Sequence, residues 1–111
     1  MPKKLSKIVL TGAAGRLGSY LREPLAALCD TLVSTDIKDQ PGTLYEGESY
    51  VQADLADFAA MEAVIKGAEM VVHMGAFVDE GPFEQLLGPN FVGSYNVWEA
   101  ASRHGVRRVV Y

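Results

Sequence analysis

The feature that most limits how this chain can fold is a run of three glycines at three-residue spacing, Thr11-Gly12-Ala13-Ala14-Gly15-Arg16-Leu17-Gly18. A short apolar stretch, residues 7–11, precedes it and reads as a strand. Leu17, Leu21, Leu25 and Leu28 follow at i, i+4, i+8 and i+11, the spacing of one helical face. A strand that turns directly into a helix needs a sheet beneath it, because the helix must lay its apolar stripe on something. Pro24 falls inside the leucine pattern, lacks an amide hydrogen, and predicts a bend near the second turn.

The remaining chain keeps alternating. Residues 31–35 read as a second strand that ends at Asp36. Residues 38–48, with Pro41, Gly42 and Gly47, read as a polar loop, and residues 50–52 as a brief third strand. Asp57 is placed to cap a helix whose buried stripe is Phe58, Met61 and Ile65, with Gly67 as its left-handed stop. Residues 70–74 form a fourth strand, followed by Gly75. Residues 79–89 hold Gly81, Pro82, Gly88 and Pro89 and predict an irregular loop with at most a helical turn. Residues 90–103 predict a long helix with Phe91, Tyr95 and Trp98 on one face and Gly105 as its end. Residues 106–111 make a fifth strand.

This order predicts an α/β, Rossmann-type three-layer domain over residues 1–111. Its sheet is parallel with helices on both faces, because crossovers between parallel strands are right-handed and need covering helices; the expected strand order is 3-2-1-4-5, the order that the family resemblance given below implies. No repeat, low-complexity tract or linker interrupts it. The chain stops within its last apolar run, so it is expected to be the N-terminal part of a longer protein, truncated after the fifth strand. That strand would then be an exposed edge, and self-association through it or through the 90–103 helix is expected, giving a homo-oligomer.

Composition narrows the function classes. Hydrophobic residues make up 49 % of the chain, enough for a core, and the net charge of −4 argues against a nucleic-acid partner, which needs a basic surface. The single cysteine, Cys29, cannot form an internal disulfide and fits a reducing compartment. No stretch has the length of a membrane span or the form of a signal-peptide core, so a cytoplasmic protein without a membrane partner is expected.

The glycines carry the chemistry. Gly12 permits the turn out of the strand, Gly15 lets a pyrophosphate approach the backbone, and Gly18 allows close packing of helix on sheet. The free amides and partial positive charge at the helix start favour an anion. Asp36, with Ile37 beside it, lies 24 positions after Gly12, where a carboxylate accepts from adenosine ribose hydroxyls. A 2′-phosphate there would meet like charge, so NAD is expected over NADP, with Lys38 close enough to soften the preference. Asp54 and Leu55 after the third strand could take the adenine, or Asp54 could simply serve its own turn. Met74, Gly75 and Ala76 lie where small residues let the nicotinamide ribose rest on backbone. His73 reads as a hydrogen-bonded core histidine and Cys29 as a small buried side chain. Asp79 and Glu80 read as solvated loop residues. No cluster has metal-ligand spacing.

The segment from Thr11 to Gly18, Asp36, Asp54-Leu55, Val72-His73-Met74-Gly75-Ala76 and Asn90 together resemble the extended short-chain dehydrogenase/reductase superfamily, which includes NAD-dependent sugar epimerases and dehydratases. Val72 to Ala76 followed by Pro82-Phe83-Glu84-Gln85 and Asn90 is most similar to the uronate dehydrogenases, which oxidise a hexuronic acid at its anomeric carbon with NAD. The resemblance implies that Gly12, Gly15, Arg16, Leu17, Asp36, Asp54, Leu55, Gly75 and Ala76 contact NAD and that Asn90 sits near the nicotinamide. It also implies a serine contacting the sugar acid where this chain has Val78, preceded by Phe77; these two are the substrate-side candidates. The superfamily's catalytic serine or threonine and its Tyr-x-x-x-Lys pair would follow Tyr111, so no catalytic residue is assigned and the chain alone is expected to be inactive. A sugar epimerase or dehydratase, a non-catalytic NAD sensor and a plain interaction domain stand as alternatives.

Overall fold

A computed structural model describes residues 4–75 and 87–110. In chain order the elements are β1 (Leu5–Thr11), α1 (Arg16–Ala26), β2 (Cys29–Asp36), β3 (Glu48–Gln52), α2 (Phe58–Ile65), β4 (Met70–His73), a π-helical turn (Leu87–Val92), α3 (Gly93–Arg103) and β5 (Arg108–Val110). The five strands form one parallel sheet, as the alternation predicts, and their order β3-β2-β1-β4-β5 is the one expected. The register brings Thr11 beside both Thr35 and His73, and Asp36 beside Gln52. The carboxyl ends of the four strands that precede turns are therefore level.

β1 is the middle strand and is covered on both faces, which explains its unbroken apolar run rather than an alternating one. Ile8 and Leu10 point to one side and pack with Ala13, Leu25, Cys29, Leu32 and Val72 beneath α1. Val9 points to the other and packs with Val33, Met61, Ile65, Val71 and Val97 beneath α2 and α3. Cys29 is buried, as expected, and burial pushes its thiol pKa up.

The leucine stripe expected on α1 holds at Leu25, which is buried, and Leu21, which packs against the core, and is corrected at Leu17 and Leu28. The buried positions are Gly18, Arg22 and Leu25. Leu17 is 67 % exposed, and Leu28 lies past the end of the helix at 55 %. The reason is that the sheet-facing side of α1 starts with a glycine at a close approach and continues with an arginine that reaches a buried carboxylate. The helix continues through Pro24 and stops two residues later.

α2 follows the expected plan. The Asp57 side chain caps it by accepting from the Ala60 amide at 3.2 Å. Met61, Val64 and Ile65 are buried, and Phe58 is half-buried beneath the Arg103 guanidinium. Gly67 and Gly105 hold positive φ, 83° and 64°, at the ends of α2 and α3. The helix expected from residue 90 starts instead as a π-turn at Leu87, inside the stretch expected to be irregular, and becomes α-helical at Gly93. Gly93, Asn96, Val97, Ala100 and Ala101 are its buried side, so Phe91, Tyr95 and Trp98 face outward. Asp79, Glu80 and most of the expected loop lie outside the described residues. Among the described residues no helix is long and apolar enough to cross a membrane.

Candidate functional site

The turn after β1 meets β4 and its own helix backbone to backbone. Gly12 has φ of +69°, and a Cβ on it would stand 2.6 Å from both Gly75 N and Met74 C. A Cβ on Gly18 would stand 1.9 Å from the Gly12 carbonyl oxygen, closer than any real contact. Gly15 differs: it has an ordinary extended conformation, and an added Cβ would meet only the Gly12 oxygen, at 3.2 Å. Gly15 is the N-cap of α1, no side chain caps the helix there, and its first turn has no acidic residue. The first intrahelical bond runs from Ser19 N to Gly15 O, so the amides of Arg16, Leu17 and Gly18 precede the helical ladder. Such a helix end attracts an anion through those donors and its partial positive charge. Leu17 and Ile37, 67 % and 62 % exposed, flank it as bare apolar surface.

Asp36 closes β2 directly beside this turn. Its Oδ2 accepts from Ala14 N at 3.0 Å and its Oδ1 from Lys38 N at 3.2 Å. The carboxylate is thus held in one orientation with lone pairs left over, since each oxygen can accept more than one bond. The backbone behind it is held from β3. Gln52 Nε2 donates to Ile37 O at 2.9 Å, and the Tyr50 hydroxyl donates to Lys38 O in a short bond and lies 3.4 Å from Asp36 O. Burial, then the nearby Asp36 and Asp39 charges, push the Tyr50 phenol pKa up, so it stays a donor.

The turns after β3 and β4 complete the edge. Asp54 Oδ1 accepts from Ala56 N at 2.9 Å, so this carboxylate does serve its own turn, with its second oxygen uncommitted to that bond. The Leu55 side chain lies over Gly75, where a Cβ would come within 2.8 Å of its Cδ1. Met74 and Gly75 abut Gly12. Gly75 N donates to the Thr11 hydroxyl oxygen at 3.0 Å, and the same oxygen lies 2.6 Å from His73 Nδ1. His73 is the hydrogen-bonded core histidine expected, and its burial lowers its pKa. The structure therefore gathers Gly12, Gly15, Gly18, Asp36, Leu55, Met74 and Gly75 at one edge. Asn90 sits half-buried in the π-turn. Ala76, Phe77 and Val78 lie outside the described residues.

Three supports were not anticipated. Arg22 and Glu48 form a buried two-bond pair, Nε to Oε2 at 2.7 Å and Nη2 to Oε1 at 2.8 Å. Arg22 also donates to Thr43 O at 3.1 Å, and Glu48 accepts from Ser34 Oγ at 2.6 Å and Tyr45 N at 3.0 Å. Burial pushes the Glu48 carboxyl pKa up, but the bonds from Arg22, Ser34 and Tyr45 outweigh it and leave the group below its ordinary value. The bond to Glu48 raises the Arg22 pKa. The second support is Asn96, buried in α3, whose side-chain amide donates to Leu55 O at 2.9 Å. The third is the Tyr50 and Gln52 pair. A polar residue at a core position of α1 or α3 is the one signal that could have raised Arg22 and Asn96.

Two surface grooves lie elsewhere. One is lined by Lys4, Glu23, Asp30 and Tyr45 at the amino end of the sheet, the other by Val51, Ala53, Ala60 and Val64 along β3 and α2. Neither has the helix start or the fixed carboxylate of the glycine-turn edge, and ligands of open parallel sheets lie at the carboxyl edge. Among the described residues no cluster of histidine, cysteine or acidic side chains could hold a metal.

Comparison with known proteins agrees with this architecture. Residues 8–111 match the model of the NAD dependent epimerase/dehydratase family. The chain is 39 % identical over 106 residues to a uronate dehydrogenase of Pseudomonas putida, and 41 % identical over 107 residues to one of Agrobacterium fabrum. Each match covers 96 % of this chain and 40 % of the relative. Among solved structures, a mutant uronate dehydrogenase of Agrobacterium tumefaciens complexed with NAD superposes with a TM-score of 0.87 at 40 % identity, covering 94 % of this chain and 39 % of that one. A glucuronic acid dehydrogenase of Chromohalobacter salexigens gives 0.89 at 36 % identity, over 96 % of this chain and 40 % of that one. The chain thus spans about 40 % of the length of these relatives. With its glycine turn, strand order and residues 8–111 all in agreement, the chain belongs to the NAD dependent epimerase/dehydratase family.

Proposed function

We propose that residues 1–111 are the NAD-binding domain of an oxidoreductase that acts on the CH–OH group of a sugar or sugar acid, in the manner of a uronate dehydrogenase. One observation carries the reading: the uncapped start of α1, open at Gly15, stands beside an Asp36 carboxylate that Ala14 N and Lys38 N hold in place. An anion and a pair of hydroxyls one turn apart are what the diphosphate and ribose of a dinucleotide present. The relatives named as uronate dehydrogenases, one of them solved with NAD, favour this cofactor and this substrate class.

The residues fit the group. Gly12 and Gly18 bring the turn close to β4 and to the helix, and Gly15 leaves its outer side free of a Cβ. The amides of Arg16, Leu17 and Gly18 would hold the diphosphate, and Asp36 with Ile37 would hold the adenosine ribose. Asp54 and Leu55 would take the adenine. Met74, Gly75, Ala76 and Asn90 would border the nicotinamide side, with Phe77 and Val78 toward the substrate. Bound NAD supplies the hydride acceptor for oxidising the sugar hydroxyl. The chain's own part is to bind and orient it. Asp36 sets the choice of NAD over NADP, because a 2′-phosphate would meet its charge. The activity belongs to the whole protein, for which we propose a cytoplasmic homo-oligomer.

Calorimetric titration with NAD tests the reading. Binding by the wild-type chain, lost on Gly15→Val while the fold persists by circular dichroism, is expected. A folded chain that binds no NAD, or that binds it equally well after Gly15→Val, overturns it.

A further inference from the structure

Thr11 ends β1, His73 ends β4, and the two are partners in the sheet register. Thr11 is fully buried and His73 is 7 % exposed. The Thr11 hydroxyl oxygen faces Gly75 N at 3.0 Å and His73 Nδ1 at 2.6 Å. An amide N–H can only donate, so it occupies one lone pair of the hydroxyl. The hydroxyl has a single hydrogen, and His73 Nδ1 is the acceptor in front of it. The opposite arrangement, Nδ1–H donating to Thr11, would leave that hydrogen with no acceptor among the described residues in a buried site, at a cost of about 1–3 kcal/mol. The neutral ring therefore carries its hydrogen on Nε2. That nitrogen lies 3.4 Å from the Ser94 hydroxyl, in the first turn of α3.

The geometry assigns His73 as a positioning residue: it accepts the Thr11 hydroxyl, donates toward Ser94, and so fixes the Gly75 amide and the start of α3 to each other. This rests on the nucleotide reading above, in which Gly75 borders the nicotinamide half of the site. Without the histidine, the Thr11 hydrogen has to turn to another acceptor, and the hold on Gly75 N–H weakens. The diphosphate and adenosine half is held by other groups, Gly15, Ala14 and Asp36, and does not use this bond. The consequence is selective: disturbing His73 weakens NAD but spares ADP, which lacks the nicotinamide ribose and ring.

The test compares NAD and ADP binding by calorimetry for the full chain and for Thr11→Val, Thr11→Ser and His73→Phe. Thr11→Val keeps the shape of the side chain and guards against a His73→Phe chain that fails to fold. About a five- to tenfold loss of NAD affinity is expected for Thr11→Val and His73→Phe, the worth of one hydrogen bond. ADP affinity should stay within about twofold, Thr11→Ser should bind as wild type does, and the double variant should be no weaker than either single one. The imidazole nitrogen resonances of the wild-type chain should show hydrogen on Nε2. Equal weakening of NAD and ADP in folded variants, additive losses, or hydrogen on Nδ1 overturns the role. A wild-type chain that binds neither nucleotide is a different failure: it rejects the nucleotide reading itself and takes the role with it.

Discussion

The glycine turn after β1 and the short segment after β2 lie side by side at the same sheet edge, yet they are held by opposite means. The first depends mainly on missing side chains: Gly12 and Gly18 sit so close to Met74, Gly75 and the turn itself that no Cβ fits, and the Asp36 carboxylate adds one bond to Ala14 N. The second is held by side chains that arrive from elsewhere. Gln52 and Tyr50 on β3 bond the carbonyls of Ile37 and Lys38, and the buried Arg22–Glu48 pair ties α1 to the root of β3. A contact made of backbone has no partial form, because a substitution either fits or displaces main chain. A contact made of side chains can be weakened one bond at a time.

That difference predicts a steep order of effects. Gly18→Ala should cost more than about 4 kcal/mol, enough to abolish cooperative thermal unfolding, because its Cβ must displace main chain. Gly15→Ala, with its extended backbone and an added contact of 3.2 Å, should lose no more than about 1 kcal/mol. Equal melting temperatures for the two would break the distinction.

Next in size is Glu48→Gln, which leaves the buried Arg22 without its counter-charge and should cost about 3–5 kcal/mol in urea unfolding. Glu48 also sets a pH dependence. Its folded pKa lies below the unfolded value, so its contribution is present above that unfolded value, about 4.3, and is lost as pH falls through the folded one. Urea midpoints taken from pH 7 downward should therefore fall more steeply for wild type than for Glu48→Gln. Parallel curves would mean that the pair does not hold the second segment.

Asp36→Asn, whose amide nitrogen cannot accept the bond from Ala14 N or Lys38 N, should cost about 1–2 kcal/mol of stability and weaken NAD by about one to two orders of magnitude in calorimetry, from the loss of charged bonds worth about 1.5–3 kcal/mol. Gln52→Ala should have the smallest effect, a weakening of NAD by about two- to fivefold with reduced discrimination against NADP, since the bond to Ile37 O is exposed. An unchanged ratio of NAD to NADP affinity would show that the backbone after Asp36 needs no help from β3.

What was legible in the sequence follows the same division. The order of elements, the Asp57 cap and the stops at Gly67 and Gly105 depend on local patterns and were readable, whereas the strand order, set by pairing between distant segments, came with the family resemblance. The glycine turn was readable because spacing alone signals it. Arg22 was hidden because its partner, Glu48, is 26 positions away, and because a leucine stripe offered a simpler account of the same helix. That account failed at Leu17 and Leu28, which are bared to solvent. Asn96 was hidden for the same reason, its acceptor being 41 positions back. The π-turn at Leu87 was unreadable because Gly88 and Pro89 signal a break, while a π-turn tolerates both.

The amide of Asn96, bonded to the Leu55 carbonyl, has a mechanical consequence. It clips α3 to the chain behind β3, and the Leu55 side chain in turn roofs Gly75. A shift of α3 along the sheet therefore stretches the bond to Leu55, and Leu55 is the side chain that covers Gly75 at the adjoining strand end. The outer helix and the sheet edge are thus coupled through one hydrogen bond, worth about 1 kcal/mol, and one packing contact.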